Sequence, residues 1–117
     1  ANADVVSVHL PLTEETRHLA NTTFFSAFAK PIYFLNAARG KIVHTPDLIT
    51  ALENGTLAGA GLDVLENEKL STYSAAEQQQ LEKLLQFTNV VLTPHIAGYS
   101  HEASIKMPQY VLDKLGI

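Results

Sequence analysis

Four short apolar runs, each stopped by a turn residue and each followed by a helix-like stretch, constrain this chain more than any other feature. Residues 90–92 (Val-Val-Leu) end at Thr93 and Pro94 and at once present His95, with Ile96, Ala97 and Gly98 behind it. Residues 32–35 (Ile-Tyr-Phe-Leu) run into Asn36, Ala37, Ala38, Arg39 and Gly40. Residues 57–64 run through Gly59, Ala60, Gly61 and Leu62 to Asp63, with Glu66 and Glu68 just beyond. Residues 5–8 (Val-Val-Ser-Val) stop before Leu10 and Pro11, since proline has no donor for a sheet ladder. Runs with no alternating polar face predict strands covered on both sides, the pattern of a parallel sheet flanked by helices. The expected class is therefore α/β, with four parallel strands alternating with helices as part of a doubly wound sheet. In such a sheet the carboxyl ends of the strands share one rim, and ligands bind there. An arginine, an acidic cluster and a histidine all fall on that rim.

The intervening segments carry helix signals. Residues 14–20 are polar and hold at most a turn. Asn21 is a fit N-cap for a helix bearing Phe24, Phe25 and Phe28, which Pro31 would stop. Residues 41–43 predict a short extended piece. Thr45 followed by Pro46 predicts a capped helix start, with Leu48, Ile49 and Leu52 as its apolar stripe and Asn54–Gly55 as its end. Residues 66–73 read as loop. Ser74 and Glu77 have capping-box spacing, and Leu81, Leu84 and Leu85 are expected to face inward from the helix they open. Ser100 would cap a last helix with Ile105, Met107, Val111, Leu112 and Leu115 as apolar positions and Gly116 at its end. Pro108 predicts a kink or break within it.

Composition removes several alternatives. At 117 residues the chain is one domain or part of one. Hydrophobic residues make up 46% and charged residues 17%, which fits a folded chain rather than a disordered one. The net charge is −4 and the basic residues are scattered, so no nucleic-acid footprint is expected. The absence of cysteine excludes a disulfide scaffold and a cysteine zinc site, and accords with a reducing cytoplasm. No apolar run is long enough to span a membrane.

Three rim positions can do chemistry. The Arg39 guanidinium can clamp a carboxylate with two parallel donors. The His95 imidazole can give or take a proton at a carbonyl or hydroxyl carbon. A carboxylate beside that imidazole would favour its charged form and fix its tautomer, and Asp63, Glu66 and Glu68 are all candidates on spacing alone. His9, His18, His44 and His101 read as structural or surface residues, with His18 and His101 solvated. No Gly-x-Ser-x-Gly elbow supports a serine hydrolase, and no His-x-x-x-His pair supports a metal site, so none is expected.

Taken together, residues 4–13 (Asp-Val-Val-Ser-Val-His-Leu-Pro-Leu-Thr), Asn36-Ala37-Ala38-Arg39-Gly40, Gly59-Ala60-Gly61-Leu62-Asp63-Val64 and Thr93-Pro94-His95-Ile96-Ala97-Gly98 resemble the D-isomer-specific 2-hydroxyacid dehydrogenases, most of all their phosphoglycerate-dehydrogenase-like members. The resemblance covers nearly the whole chain, with its motifs in the family's order. It implies a Rossmann-like fold holding NAD (NADP is not distinguished) and reversible hydride transfer at C2 of a 2-hydroxy acid. It makes Arg39 the carboxylate-binding residue and His95 the acid–base residue. It selects Glu68 over Glu66 as the partner of His95, and makes Asp63 a nicotinamide-side contact. Leu10, Pro11, Thr16, Ala37, Ala38, Arg39, His95, Ala97 and Gly98 would complete the cofactor wall. A nucleotide-sensing, corepressor-like module of the same fold is the alternative the resemblance carries.

Lys69 stands where the family usually has proline, and no Gly-x-Gly-x-x-Gly turn occurs. The chain is accordingly expected to be the second half of a nucleotide-binding domain, with the glycine-rich turn and the substrate domain outside it. A homodimeric whole protein, self-association of this piece and negligible NAD affinity on its own are further expectations.

Overall fold

A computed structural model describes residues 2–97 and 100–116, apart from the side chains of residues 101, 103, 104 and 107. Four strands, β1 (Val5–Val8), β2 (Ile32–Asn36), β3 (Leu57–Leu62) and β4 (Val90–Leu92), alternate with helices α1 (Thr22–Ser26), α2 (Thr45–Glu53), α3 (Ala75–Gln86) and α4 (His101–Leu115). All neighbouring strand pairs are parallel, in the spatial order β1-β2-β3-β4. The α/β class and the parallel sheet are as expected.

Local chemistry explains most boundaries. Asn21 caps α1 by accepting the Phe24 N–H. Helix α1 ends at Ser26, earlier than Pro31 predicts, because Ala27 bonds back to the Phe24 carbonyl and tightens the last turn; Phe28 joins the core from beyond it. Residues 40–42 form a 3-10 turn rather than an extended piece, and Val43 then pairs with Ala20 in an isolated parallel bridge. Helix α2 begins at Thr45 with His44 at the cap position, so Thr45 is helical and not the capping residue. Strand β3 stops at Leu62, two residues short of the predicted end. A 3-10 turn, Leu70–Thr72, interrupts the loop before α3. Ser74 and Glu77 close a complete capping box on α3.

The core lies on one face of the sheet. Ile32, Phe34 and Asn36 of β2 point into it, with Leu57, Ala60 and Leu62 of β3, Phe25 of α1, Leu48 of α2 and Leu84 of α3. Phe34 meets Phe25 edge-on at 5.4 Å, and Phe24 joins the same aromatic cluster. The opposite face is open, contrary to the expectation that both would be covered. Tyr33 is 55% exposed, Val5 53% and Val91 65%. The reason is topological: the strand order never reverses, so crossovers of one hand put α1, α2 and α3 on the same side. On the open face Tyr33 and Leu35 lean over Gly59 and Gly61, where an added Cβ would come within 3.0 and 2.8 Å of them.

One helix expectation is also corrected. Leu85 points outward, 66% exposed, because α3 rests on the core through Leu84. Helix α4 is not broken at Pro108, one of the two outcomes expected there, and Ile105, Val111, Leu112 and Leu115 are all exposed.

Phe34 is fully buried, so Phe34→Ala should cost about 3–5 kcal/mol. Urea denaturation of the chain measures this, and a loss under about 1 kcal/mol would contradict the packing described.

Candidate active site

Because the four strands are parallel and in register, their carboxyl ends deliver His9, Ala37, Asp63 and Thr93 to one edge of the sheet. The turn after β2 is shaped by Asn36. Its buried side chain accepts the Ala38 N–H and donates to the Arg39 carbonyl, at 3.0 Å each. That sets the Ala37-Ala38-Arg39 backbone facing outward. Asn36 shapes this turn, a role that the motif reading did not assign it, although an asparagine closing an apolar strand is itself a turn signal. Arg39 is exposed, and one of its guanidinium nitrogens donates to the Ala38 carbonyl at 2.7 Å.

Gly40 follows, and here glycine is required. An added Cβ would lie 1.9 Å from the Leu65 carbonyl oxygen. The Arg39 turn and the loop after β3 are therefore in backbone contact.

Asp63 is 7% exposed and directs its carboxylate at the turn after β4. One oxygen accepts from the Thr93 hydroxyl and the Ile96 N–H, and the other from the Ala97 N–H. Burial alone would push this carboxyl up. The bonds from Thr93, Ala97 and Ile96, with the charge of His95, outweigh it and hold Asp63 below the usual carboxylate value. Its carboxylate thus holds the His95 turn from beneath instead of lying open on the rim. His95 has a left-handed backbone (φ 59°), a conformation that costs a non-glycine residue energy unless its surroundings impose it.

The three acidic candidates separate cleanly. The Glu68 carboxylate bonds His95 Nδ1 at 2.8 Å, with both side chains half exposed. Glu66 has other partners: one oxygen takes the Thr45 N–H at the start of α2 and the other meets His18 Nε2 at 3.0 Å. His18 is consequently partnered, not solvated; it also touches the His44 ring edge-on at 4.9 Å and has a left-handed backbone (φ 52°). His101 falls among the side chains outside the described set.

Arg39 and Glu68 line a common cleft of about 640 Å³, within the range of small-ligand sites. Leu12, Lys41, Asn67 and Lys69 line it too, as do Glu66 and Glu77, so the cations Arg39, Lys41 and Lys69 share the cleft with the carboxylates Glu66, Glu68 and Glu77. The expected cofactor wall is accessible where described. Leu10, Pro11, Ala37 and Ala97 are exposed, while Thr16 and Ala38 are half-buried. Thr16 spends its hydroxyl on the Pro11 carbonyl at 2.8 Å, which orders the loop after β1. Gly98 lies outside the described residues. Exposed small and aliphatic residues at the strand ends, Leu10, Pro11, Ala37 and Ala97, are of a kind that fits the planar ring of a nicotinamide nucleotide.

Fold and rim together define a Rossmann-type nucleotide-binding α/β domain with an imidazole–carboxylate couple at the strand ends. Comparison with known proteins narrows this. Residues 1–97 match the family model for the D-isomer specific 2-hydroxyacid dehydrogenase, NAD binding domain, and the chain belongs to that family. It is 45% identical over 113 residues to glyoxylate/hydroxypyruvate reductase B of Salmonella paratyphi B, covering 97% of this chain and 32% of that protein. It is 39% identical over 107 residues to the D-lactate dehydrogenase of Staphylococcus aureus, covering 87% of this chain and 32% of that one. The D-lactate dehydrogenase of Aquifex aeolicus, crystallised with NAD and lactic acid, superposes with a TM-score of 0.79 at 31% identity, over 97% of this chain and 36% of that one. The chain thus spans about a third of the length of the relatives it matches. Among the described residues no helix is long and apolar enough to cross a membrane.

A carboxyl held lower in the folded chain than in the unfolded one contributes stability above its unfolded value, near 4, and loses it as pH falls through the folded value. Asp63→Asn should therefore lower stability at pH 7 and flatten the acid limb below about pH 4. Urea unfolding of both forms at pH 7 and pH 3 measures it. Equal losses on acidification would show that Asp63 carries no such linkage.

Proposed function

We propose that this chain provides the acid–base half of an NAD-dependent oxidoreductase that interconverts a D-2-hydroxy acid and its 2-oxo acid. The observation that carries the reading is the Glu68–His95 bond at 2.8 Å beside a cleft that Arg39 also lines. NAD, held against Leu10, Pro11, Thr16, Ala37, Ala38, Arg39, His95, Ala97 and Gly98, supplies or accepts the hydride when bound; the same wall would serve NADP. In the reducing direction the Arg39 guanidinium holds the substrate carboxylate and draws electron density toward the C2 carbonyl oxygen. As a hydride reaches C2, the carbonyl π pair moves to oxygen, which takes the His95 proton. Glu68 stabilises the imidazolium before transfer, and the neutral ring is reprotonated from solvent. Asp63 holds the His95 turn throughout. Names of the relatives point to a short 2-oxo acid as substrate. A cytoplasmic homodimer accords with this reading, nicotinamide cofactors being soluble metabolites of that compartment.

In the whole protein, His95→Ala should reduce kcat by roughly 100- to 10,000-fold. Glu68→Ala should reduce it at least about tenfold, and Arg39→Ala should raise KM for the acid. Steady-state kinetics with NADH and a panel of 2-oxo acids measures these effects, and wild-type turnover in His95→Ala would end the proposal.

Nucleotides bind doubly wound sheets where the strand order reverses, and the described order β1-β2-β3-β4 holds no reversal. The isolated chain should therefore bind NAD negligibly by calorimetry. It should also self-associate in analytical ultracentrifugation through the unpaired edge of β1 and the open apolar face. Tight NAD binding, or a clean monomer, would overturn the respective expectation.

A further inference from the structure

We propose that Asn67 is a positioning residue for the Glu68–His95 pair. This rests on the acid–base reading above and adds to it. Glu68 is itself half exposed and bonds His95 through one carboxylate oxygen, so its aim depends on how the loop around it is held. Its neighbour Asn67 is the most heavily bonded residue of the loop. The Asn67 side-chain amide donates to Glu77 at 2.8 Å and to the Thr72 hydroxyl at 3.0 Å. Its side-chain oxygen accepts the Lys69 N–H at 3.0 Å, a donor that a proline at position 69 would lack. Its backbone carbonyl accepts the Tyr73 hydroxyl at 2.6 Å.

These bonds bracket Glu68 on both sides and run to a rigid support. Glu77 belongs to the capping box of α3, so the loop is tied to a capped helix start. The Asn67 amide leads the interactions that hold the Glu77 carboxyl below its usual value, which keeps it a charged acceptor. Burial, then the charges of Glu77 and Glu68, raises the Tyr73 phenol, which keeps it a donor. On the preceding side Glu66 is fastened to α2 through the Thr45 N–H. Of the two glutamates of this loop that line the cleft, Glu66 is spent on Thr45 and His18 while Glu68 bonds His95. Ordering a side chain beforehand removes an entropic cost from the step that uses it.

A double-mutant cycle in the whole protein tests this. Asn67→Ala should lower kcat about tenfold and leave KM for NADH unchanged. In a Glu68→Ala background the same substitution should change kcat by less than about twofold, since no carboxylate remains to be aimed. Equal losses in both backgrounds, or no loss in either, would overturn the proposal while leaving the acid–base reading intact. Full activity in Glu68→Ala alone would instead remove that reading, and this inference with it. Should Asn67→Ala not fold, Tyr73→Phe removes a single hydroxyl at the same anchor. It should lower kcat about threefold in the parent and not in Glu68→Ala, and an equal loss in both again overturns the inference.

Discussion

The buried carboxylate of Asp63 is the interaction on which the rim depends. It stands at the end of β3 and binds across to three groups of the turn after β4. A strand ladder fixes strands to one another but leaves their loops free. Here a charged acceptor with low exposure takes over where the ladder stops, and charge-assisted bonds of this kind are about twice as strong as neutral ones. The left-handed backbone of His95 is tolerable because these bonds leave the turn no alternative shape. Asn36 does the same for the turn after β2 with neutral groups. The Arg39 turn thus rests on Asn36 of its own strand, and the His95 turn on Asp63 from the end of the neighbouring strand.

How much of this could be read from the chain alone depended on the range of the interaction. Caps are local, and Asn21 and Ser74 announced α1 and α3 through the residues three positions on. The end of β4 was equally plain, since Pro94 has no donor for a ladder, whereas β3 stops at Leu62, two residues before the expected end. Sequence spacing could not choose among Asp63, Glu66 and Glu68. All three sit within six residues, and their fates differ because Thr93, Thr45 and His95 approach from distant parts of the chain. Only family resemblance favoured Glu68, and the geometry pairs that residue with His95. The open face was illegible for a related reason. Apolar runs report that a strand dislikes water on both sides, not whether the chain itself supplies the cover. Leu85 misled in the same way, as an apolar residue at helical spacing whose position falls just off the core-facing stripe.

Helix ends and imidazoles are coupled behind the rim. Asp47 accepts the Thr22 N–H at the start of α1 and lies 3.1 Å from His44. Glu66 repeats the arrangement at the start of α2 with His18. The bond from Thr22 leads the causes that hold the Asp47 carboxyl low, although burial opposes it. Negative groups at helix starts meet both the unpaired amides and the positive end of the helix dipole. The two carboxylates thereby join the loops after β1 and β2 into one layer beneath the cleft.

The absence of clearance at Gly40 has a mechanical outcome. The turn bearing the guanidinium and the loop bearing the carboxylate touch main chain to main chain, so a shift of one bears on the other. On the proposed reading, the groups that would grip the acid and serve the proton then form a single jaw. Accommodating a bulkier acid must then fall to whatever wall faces this jaw, and variation in substrate size within such enzymes should be sought there.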